Sequence, residues 1–510
     1  MKSTVTFLVM FGLICLPSFI SMAAVIHVPT DQPTIQAGID AAVDGDTVLV
    51  ADGTYTGEGN WDIDFKGKAI TVTSENGPED CIIDCTVIYG PGHRGFHFQS
   101  NETKSSVLDG FTITKGITGI GGGIIITNSS PLIKNCVIKA CRATLGGGIY
   151  IADSNCALVQ CSIQKNIATG VYPRGASICI DNSDIEIIQC SIDENEAYSG
   201  HHCQILGGGI IDCKNSRLLI EQSFIIENYD RRHDSYGAFA FDHSSVTVVN
   251  SIIAKNETSG SWSVTHSTMI VINVVIADSK ITDSSNHTAF EASDSNFTLS
   301  NCIVWNNDIR NLNLDDITVD IRYSNIQGGC DGIGNINADP LFANIKDPTN
   351  RYRLTPFSPC IDAGTSDNAP STDIEGKPRF DGHVDMGAYE FSPAETTTYI
   401  KMPAHQIYPG DTVSCSVRVW NTKDNSPDDT KLFVVLELPG NTYFAPSFTS
   451  FDNYSQHFPI GLTKLLIIPE FIWPPGIGKQ SGLTWYAALT NPQMTELWSN
   501  IAQFDFGWNE

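Results

Sequence analysis

The chain has 510 residues, enough for two or three domains and a large buried core. Acidic residues number 57 against 30 basic ones, a formal charge of −27, yet charged residues make up only 17% of the chain. That balance excludes the basic footprint of a nucleic-acid binder and disfavours polyanions unless cations bridge them, while a hydrophobic fraction of 41% excludes disorder.

Residues 1–23 read as a secretory signal peptide. Lys2 gives the positive start, Phe7 to Leu16 the apolar stretch, and Ser21-Met22-Ala23 the small-residue cleavage site. The expected location is secreted or on the extracellular surface. Ile14 stands where a lipidated Cys15 would want a small residue. No later run reaches the ~20 apolar residues of a membrane helix. Fourteen of the 15 cysteines follow the leader, and none forms a CxxC pair of the kind that holds zinc.

Residues 24–325 repeat. A polar residue, then Cys or Ser, any residue and Ile recur from Asn135-Cys136 through Gln160-Cys161, Gln189-Cys190 and Gln222-Ser223 to Tyr323-Ser324, at intervals of 22 to 33 residues. Five residues after the Cys or Ser stands an Asn, at Asn166, Asn195, Asn228, Asn256 and Asn307. Short β-branched runs lie between Asn, Ser, Asp and Gly, so each unit predicts three short strands and turns. Such a unit stacks as a coil of a parallel β-solenoid of roughly ten coils. Equivalent residues then fall ~4.8 Å apart. The recurring Asn predicts a side-chain ladder at a turn where Asn tolerates the left-handed conformation. Cys136, Cys161 and Cys190 share one position on successive coils, as small buried hydrophobes rather than disulfides.

With these phrases, the sequence resembles the right-handed parallel β-helix proteins of the pectin-lyase-like class found among secreted bacterial proteins. The opening supports this: Thr34-Ile35-Gln36-Ala37, then Gly45-Asp46-Thr47-Val48-Leu49-Val50, then Gly53-Thr54-Tyr55. The resemblance implies a short helix, Ile35 to Val43, over the open end. It does not imply one activity, because the class spans lyases, hydrolases, adhesins and tailspikes.

Three successive units carry long excursions after the Asn, at 167–174, 196–206 and 229–236. Stacking places them side by side as a groove wall. Their candidate ligand-binding residues are Tyr172, Arg174, Tyr198, His201, His202, Tyr229, Asp234 and Tyr236, and Arg231-Arg232-His233 is a local basic island. β-Elimination of a uronate needs positive charge on the carboxylate and a base for the C5 proton. Arg231 or Arg232 would neutralise; His233, His202 or Tyr198 would abstract. The same residue types suit plain glycan binding.

Residues 326–392 resemble the terminal module behind many secreted bacterial β-helices, and are expected to shield the last coil edge. Cys330 and Cys360 flank it and form the disulfide candidate. Asp362, Asp373, Asp381 and Asp385 offer the oxygen ligands of Ca²⁺, against the commoner use of Asp as a turn cap. Residues 393–398 read as a linker. Residues 399–510 predict an antiparallel β-sandwich holding Trp420, Trp473, Trp485, Trp498 and Trp508, most of them as core. Trp473, beside two prolines and a glycine, is the candidate sugar platform.

The fold class is therefore all-β, a right-handed parallel β-helix followed by a small antiparallel β-sandwich. The leading expectation is a secreted or cell-surface protein that binds a polysaccharide or cell-surface glycan without catalysis. The alternative is a polysaccharide lyase for a uronate-containing glycan, and a third reading is a structural adhesion spacer.

Overall fold

The structure is a computed structural model that describes residues 23–199, 207–232, 237–258, 262–281, 290–307, 312–313, 318–343, 352–379, 384–392, 396–402, 406–422, 427–476 and 478–508. Strands stack into parallel sheets of 12, 11, 9 and 6 members, in which each strand pairs with its equivalents one coil before and after. A central coil runs Ile149–Ala152 in the nine-stranded sheet, Ala157–Val159 in the twelve, Ser162–Gln164 in the eleven and Ile167–Thr169 in the six. The fourth strand exceeds the three expected per unit. It is short, and its polar residues disguise it in the sequence.

Left-handed residues turn the corners. On one coil they are Asp153, Gln160 and Lys165, with φ between 51° and 56°. The polar residue before each Cys or Ser thus makes the corner, and the Cys or Ser after it points inward. The Asn ladder forms as expected, but its geometry differs in one respect. The left-handed residue is the one before each Asn (Lys165, Glu194, Glu227, Lys255), leaving the amide free to enter the core. Asn166 Nδ2 donates to Asn195 Oδ1, Asn195 Nδ2 to Asn228 Oδ1 and Asn228 Nδ2 to Asn256 Oδ1, each at 3.0 Å. Each Oδ1 also accepts the backbone N–H of the preceding Asn at 3.0 Å. A second ladder escaped the sequence reading: Ser154, Ser183, Ser216, Ser244 and Ser267 each accept, on Oγ, the backbone N–H one coil earlier. These columns satisfy polar groups that a thin parallel sheet would otherwise bury bare.

The interior is one continuous apolar column, from Val28, Ile39 and Val48 through Ile138, Ile163 and Ile192 to Leu299 and Ile321. Helix Ile35–Ala41 closes its first end, two residues shorter than expected, with Thr34 Oγ1 accepting the Ala37 N–H. Cys136, Cys161 and Cys190 lie buried in this column as free thiols. Burial pushes Cys136 up to about 12.

The segment after residue 326 does more than shield the last edge. Residues 332–336 add a partial rung there, with Tyr323 N–H donating to Ile333 O and Ser324 N–H to Asn335 Oδ1. The chain then folds back along the outer face of the eleven-stranded sheet. Tyr352, Leu354, Cys360, Ile361, Met386 and Ala388 bury Ile252, Val275 and Ile303. Corner residues of three coils hold it: Asn250 Nδ2 donates to Thr372 O, Asn273 Nδ2 to Asp385 O and Asn301 Nδ2 to Thr365 O. The reason is a continuous apolar stripe on that sheet's outer face, which needs cover.

Cys330 and Cys360 do not form the expected disulfide; both are free. Cys360 Sγ is buried and takes a hydrogen bond from Asn325 Nδ2, whereas Cys330 stays near the surface beside Asp331. Of the Ca²⁺ candidates, Asp381 lies outside the described residues. Asp373 and Asp385 serve as turn caps, accepting backbone N–H groups of Glu375, Lys377 and Glu390, and of Asp362 and Phe391.

The C-terminal unit is the expected sandwich, with strands Thr412–Asn421, Thr430–Leu438, Gly461–Ile472 and Gln480–Thr490 carrying most of it. It begins earlier than expected, since Thr397–Lys401 is its edge strand and Thr398 Oγ1 donates to Ala487 O. Its tryptophans pack as core. Trp485 is fully buried, and Trp473 is half-buried 5.0 Å from Trp508 rather than displayed as a platform. Phe391 meets Trp420 edge-on at 5.1 Å and ties the sandwich to the preceding segment.

Candidate ligand-binding face

The three excursions leave from the six-stranded sheet, and their roots do lie side by side. Register aligns Arg142, Ile167, Glu196, Tyr229, Glu257 and Lys280 in one outward column. Two residues along the strand, Thr169 and Tyr198 pair, and Arg231 N–H donates to Ala197 O on the preceding rung. The face therefore carries alternating acids, bases and tyrosines.

Arg231 is exposed and rests 3.3 Å from Glu196 Oε1, with its guanidinium 5.4 Å from the Tyr229 ring centre. Burial and the carboxylate of Glu257 raise the Tyr229 hydroxyl above its ordinary range. Tyr198 is 51% exposed and Tyr172 59%. Below them, a polar hollow of about 700 Å³ is lined by Tyr229, Lys255, Glu257, Asp278, Lys280 and Asn307. Sequence reasoning missed Glu196, Lys255, Glu257 and Lys280. Their signal was the offset from the repeating Asn, which fixes the outward column.

Arg232 sits elsewhere than expected. It is fully buried, and its Nε and Nη2 reach both oxygens of Asp230 at 2.8 and 2.9 Å. Nη1 donates to Pro173 O, and Nη2 to Gly207 O and Gly237 O. One guanidinium thus clasps the closing root of each of the three excursions. The cause is Asp230, which points inward where the rungs before it carry Ala168 and Ala197. An inward carboxylate needs a buried partner. Arg232 is consequently withdrawn from any ligand.

Arg174 instead lies over the outer side of the nine-stranded sheet, 3.3 Å from the buried Asp212 and 3.6 Å from Cys179 Sγ. Burial raises the Asp212 carboxyl despite the opposing pull of Arg174. His201, His202, His233, Asp234 and Tyr236 lie outside the described residues. Of the predicted site, the structure brings together Tyr198, Tyr229 and Arg231 on one outer face, buries Arg232 in the interior and lays Arg174 on the outer side of the nine-stranded sheet.

Residues 122–325 match the sequence family described as a right handed beta helix region. With the stacked parallel sheets, this defines the chain as carrying a right-handed parallel β-helix, which extends toward the N-terminus beyond the matched residues. No curated protein matches the chain. Among the described residues no helix is long and apolar enough to cross a membrane.

Proposed function

We propose that this is a secreted or cell-surface β-helix protein that binds a polysaccharide or cell-surface glycan on the six-stranded face without catalysis. The observation that carries the reading is the exposed Tyr198 and Arg231 with the half-buried Tyr229, beside Glu196 on adjacent rungs. Tyrosine faces accept the C–H side of a sugar ring, while carboxylate and guanidinium groups bond its hydroxyls. Rungs ~4.8 Å apart repeat that display along the fibre axis, as an extended polymer requires.

The alternative, a uronate lyase, draws support from Arg231 and Tyr198, an exposed cation and an exposed hydroxyl on neighbouring rungs. One experiment separates the two. The full chain is assayed against a panel of neutral and uronate-containing polymers, with and without Ca²⁺, for retention and for ultraviolet-absorbing unsaturated ends. Retention without product, reduced by Y198A and R231A, supports binding. Unsaturated product that disappears in those variants establishes the lyase, and no retention of any polymer defeats both.

A further inference from the structure

At the corner between the nine- and twelve-stranded sheets, each coil places one left-handed residue. Asn182, Asn215, His243, His266 and Asp294 follow one another there with φ between 47° and 50°. Short polar side chains are the ordinary choice for this conformation. Histidine is among the residues enriched there, and here two fall on consecutive coils, so stacking brings them together. Their rings lie 4.4 Å apart and 24° from parallel.

Both rings address one carboxylate. His243 Nδ1 is 2.6 Å from Asp242 Oδ1, and His266 Nδ1 is 3.8 Å from the same oxygen. One ligand atom from each of the three residues falls within 4.8 Å of the others. On the far side of the His266 ring, Nε2 lies 3.6 Å from Asp294 Oδ2. A carboxylate at that distance favours the tautomer that keeps the proton on Nε2, which leaves the Nδ1 lone pair for an ion beside Asp242, as in metal-bound imidazoles. Lys214 Nζ stands 3.6 Å from Asp242 Oδ2, the oxygen turned away from the two histidines, so its opposing charge lies on the other side of the carboxylate. A hollow of about 320 Å³, lined also by Arg174, Asp212 and Thr265, opens beside the pair.

We propose that Asp242, His243 and His266 form a binding site for a divalent transition-metal ion of the zinc class, bridging two successive coils. Nitrogen and carboxylate oxygen at ~2.0–2.2 Å are the ordinary donors of Zn²⁺, and a fourth position stays open to water. Bringing the three donors to the ~3.3 Å separation of a tetrahedral site takes only side-chain rotation at a solvent-facing corner. Ligation through His243 Nδ1 places the ring proton on Nε2, so the ion replaces the hydrogen bond between Nδ1 and Asp242. The backbone supplies the preorganisation, since the parallel ladder fixes Asp242 opposite Thr265 and hence His243 opposite His266.

The full chain is titrated with Zn²⁺ by calorimetry and with Co²⁺ by visible absorption. One equivalent should bind, with a Co²⁺ spectrum of nitrogen and oxygen ligation. H243A and H266A should each weaken binding about tenfold or more while keeping the parent circular dichroism. Proton spectra of the parent chain provide a check independent of the variants: two of its 12 histidine rings should respond to Co²⁺. Absence of binding, thiolate charge-transfer bands, undiminished affinity in the double variant, or broadening of other histidines overturns the site.

Discussion

Arg232 and Asp230, two residues apart, form a fork-to-fork ion pair in the β-helix interior, with both side chains fully buried. The remaining N–H groups of the guanidinium go to carbonyls from three coils, so a single side chain sets where the three excursions return to the sheet.

Removing one partner should cost far more than removing both. Asp230→Ala leaves a buried cation without its carboxylate, and Arg232→Ala leaves a buried carboxylate without its cation and three carbonyls without their donor. Each single variant should lose about 3–5 kcal/mol. The pair Asp230→Ala and Arg232→Met should recover part of that loss. Urea unfolding of the three variants measures the coupling directly.

The Asn ladder makes a different prediction. Asn195→Ala strips the acceptor from the N–H groups of Asn166 and the donor from Ile163 O. Each buried group left bare costs about 1–3 kcal/mol. The exposed Asn155→Ala should change stability by no more than about 0.5 kcal/mol. Thermal melts of both variants test whether the columns, rather than asparagine content, hold the coils.

The segment that folds back along the helix should titrate. Burial raises Glu390 to about 6, against the opposing pull of Arg379, and burial with the neighbouring Glu390 charge raises Asp385 well above its ordinary range. A carboxyl raised in the folded state binds more protons folded than unfolded, so stability falls as pH rises through the window between the two values. For Glu390 that window runs from the ordinary 4.5 up to about 6. Glu390→Gln should flatten this slope in unfolding midpoints collected across that range.

The thiols give a fourth prediction. All 13 described cysteines are free, and burial pushes Cys141, Cys156 and Cys302 up to about 12. Because the thiolate is the reactive form, these should resist a thiol reagent until denaturant is added. Cys330, the one described thiol that is only half-buried, should label first among them. Mass spectrometry after timed labelling reads the order; rapid labelling of Cys141 or Cys156 would contradict the packing.

The coil period was legible because it is written in local chemistry. A left-handed corner wants Asn, Gln or Lys, the position after it wants Cys or Ser, and the ladder wants Asn, so Gln160-Cys161 and Asn166 announce themselves on every rung. The fourth strand was less visible, because Ile167–Thr169 and Tyr229–Asp230 are too short for alternation to show. The excursions were found by length, but the roles of their residues were not.

The sequence alone determined the solenoid, its corners and its inward columns, since each depends on residues a few positions apart. Only the tertiary structure decided that Arg232 is a clasp while Arg231 faces solvent, and that Cys360 is a covered thiol. It also decided that His243 and His266 share one carboxylate. Each of these rests on contacts between rungs 23 to 33 residues apart or more, and rung register depends on the summed length of every intervening turn. A side chain's neighbours one coil away are fixed only once the coils have stacked.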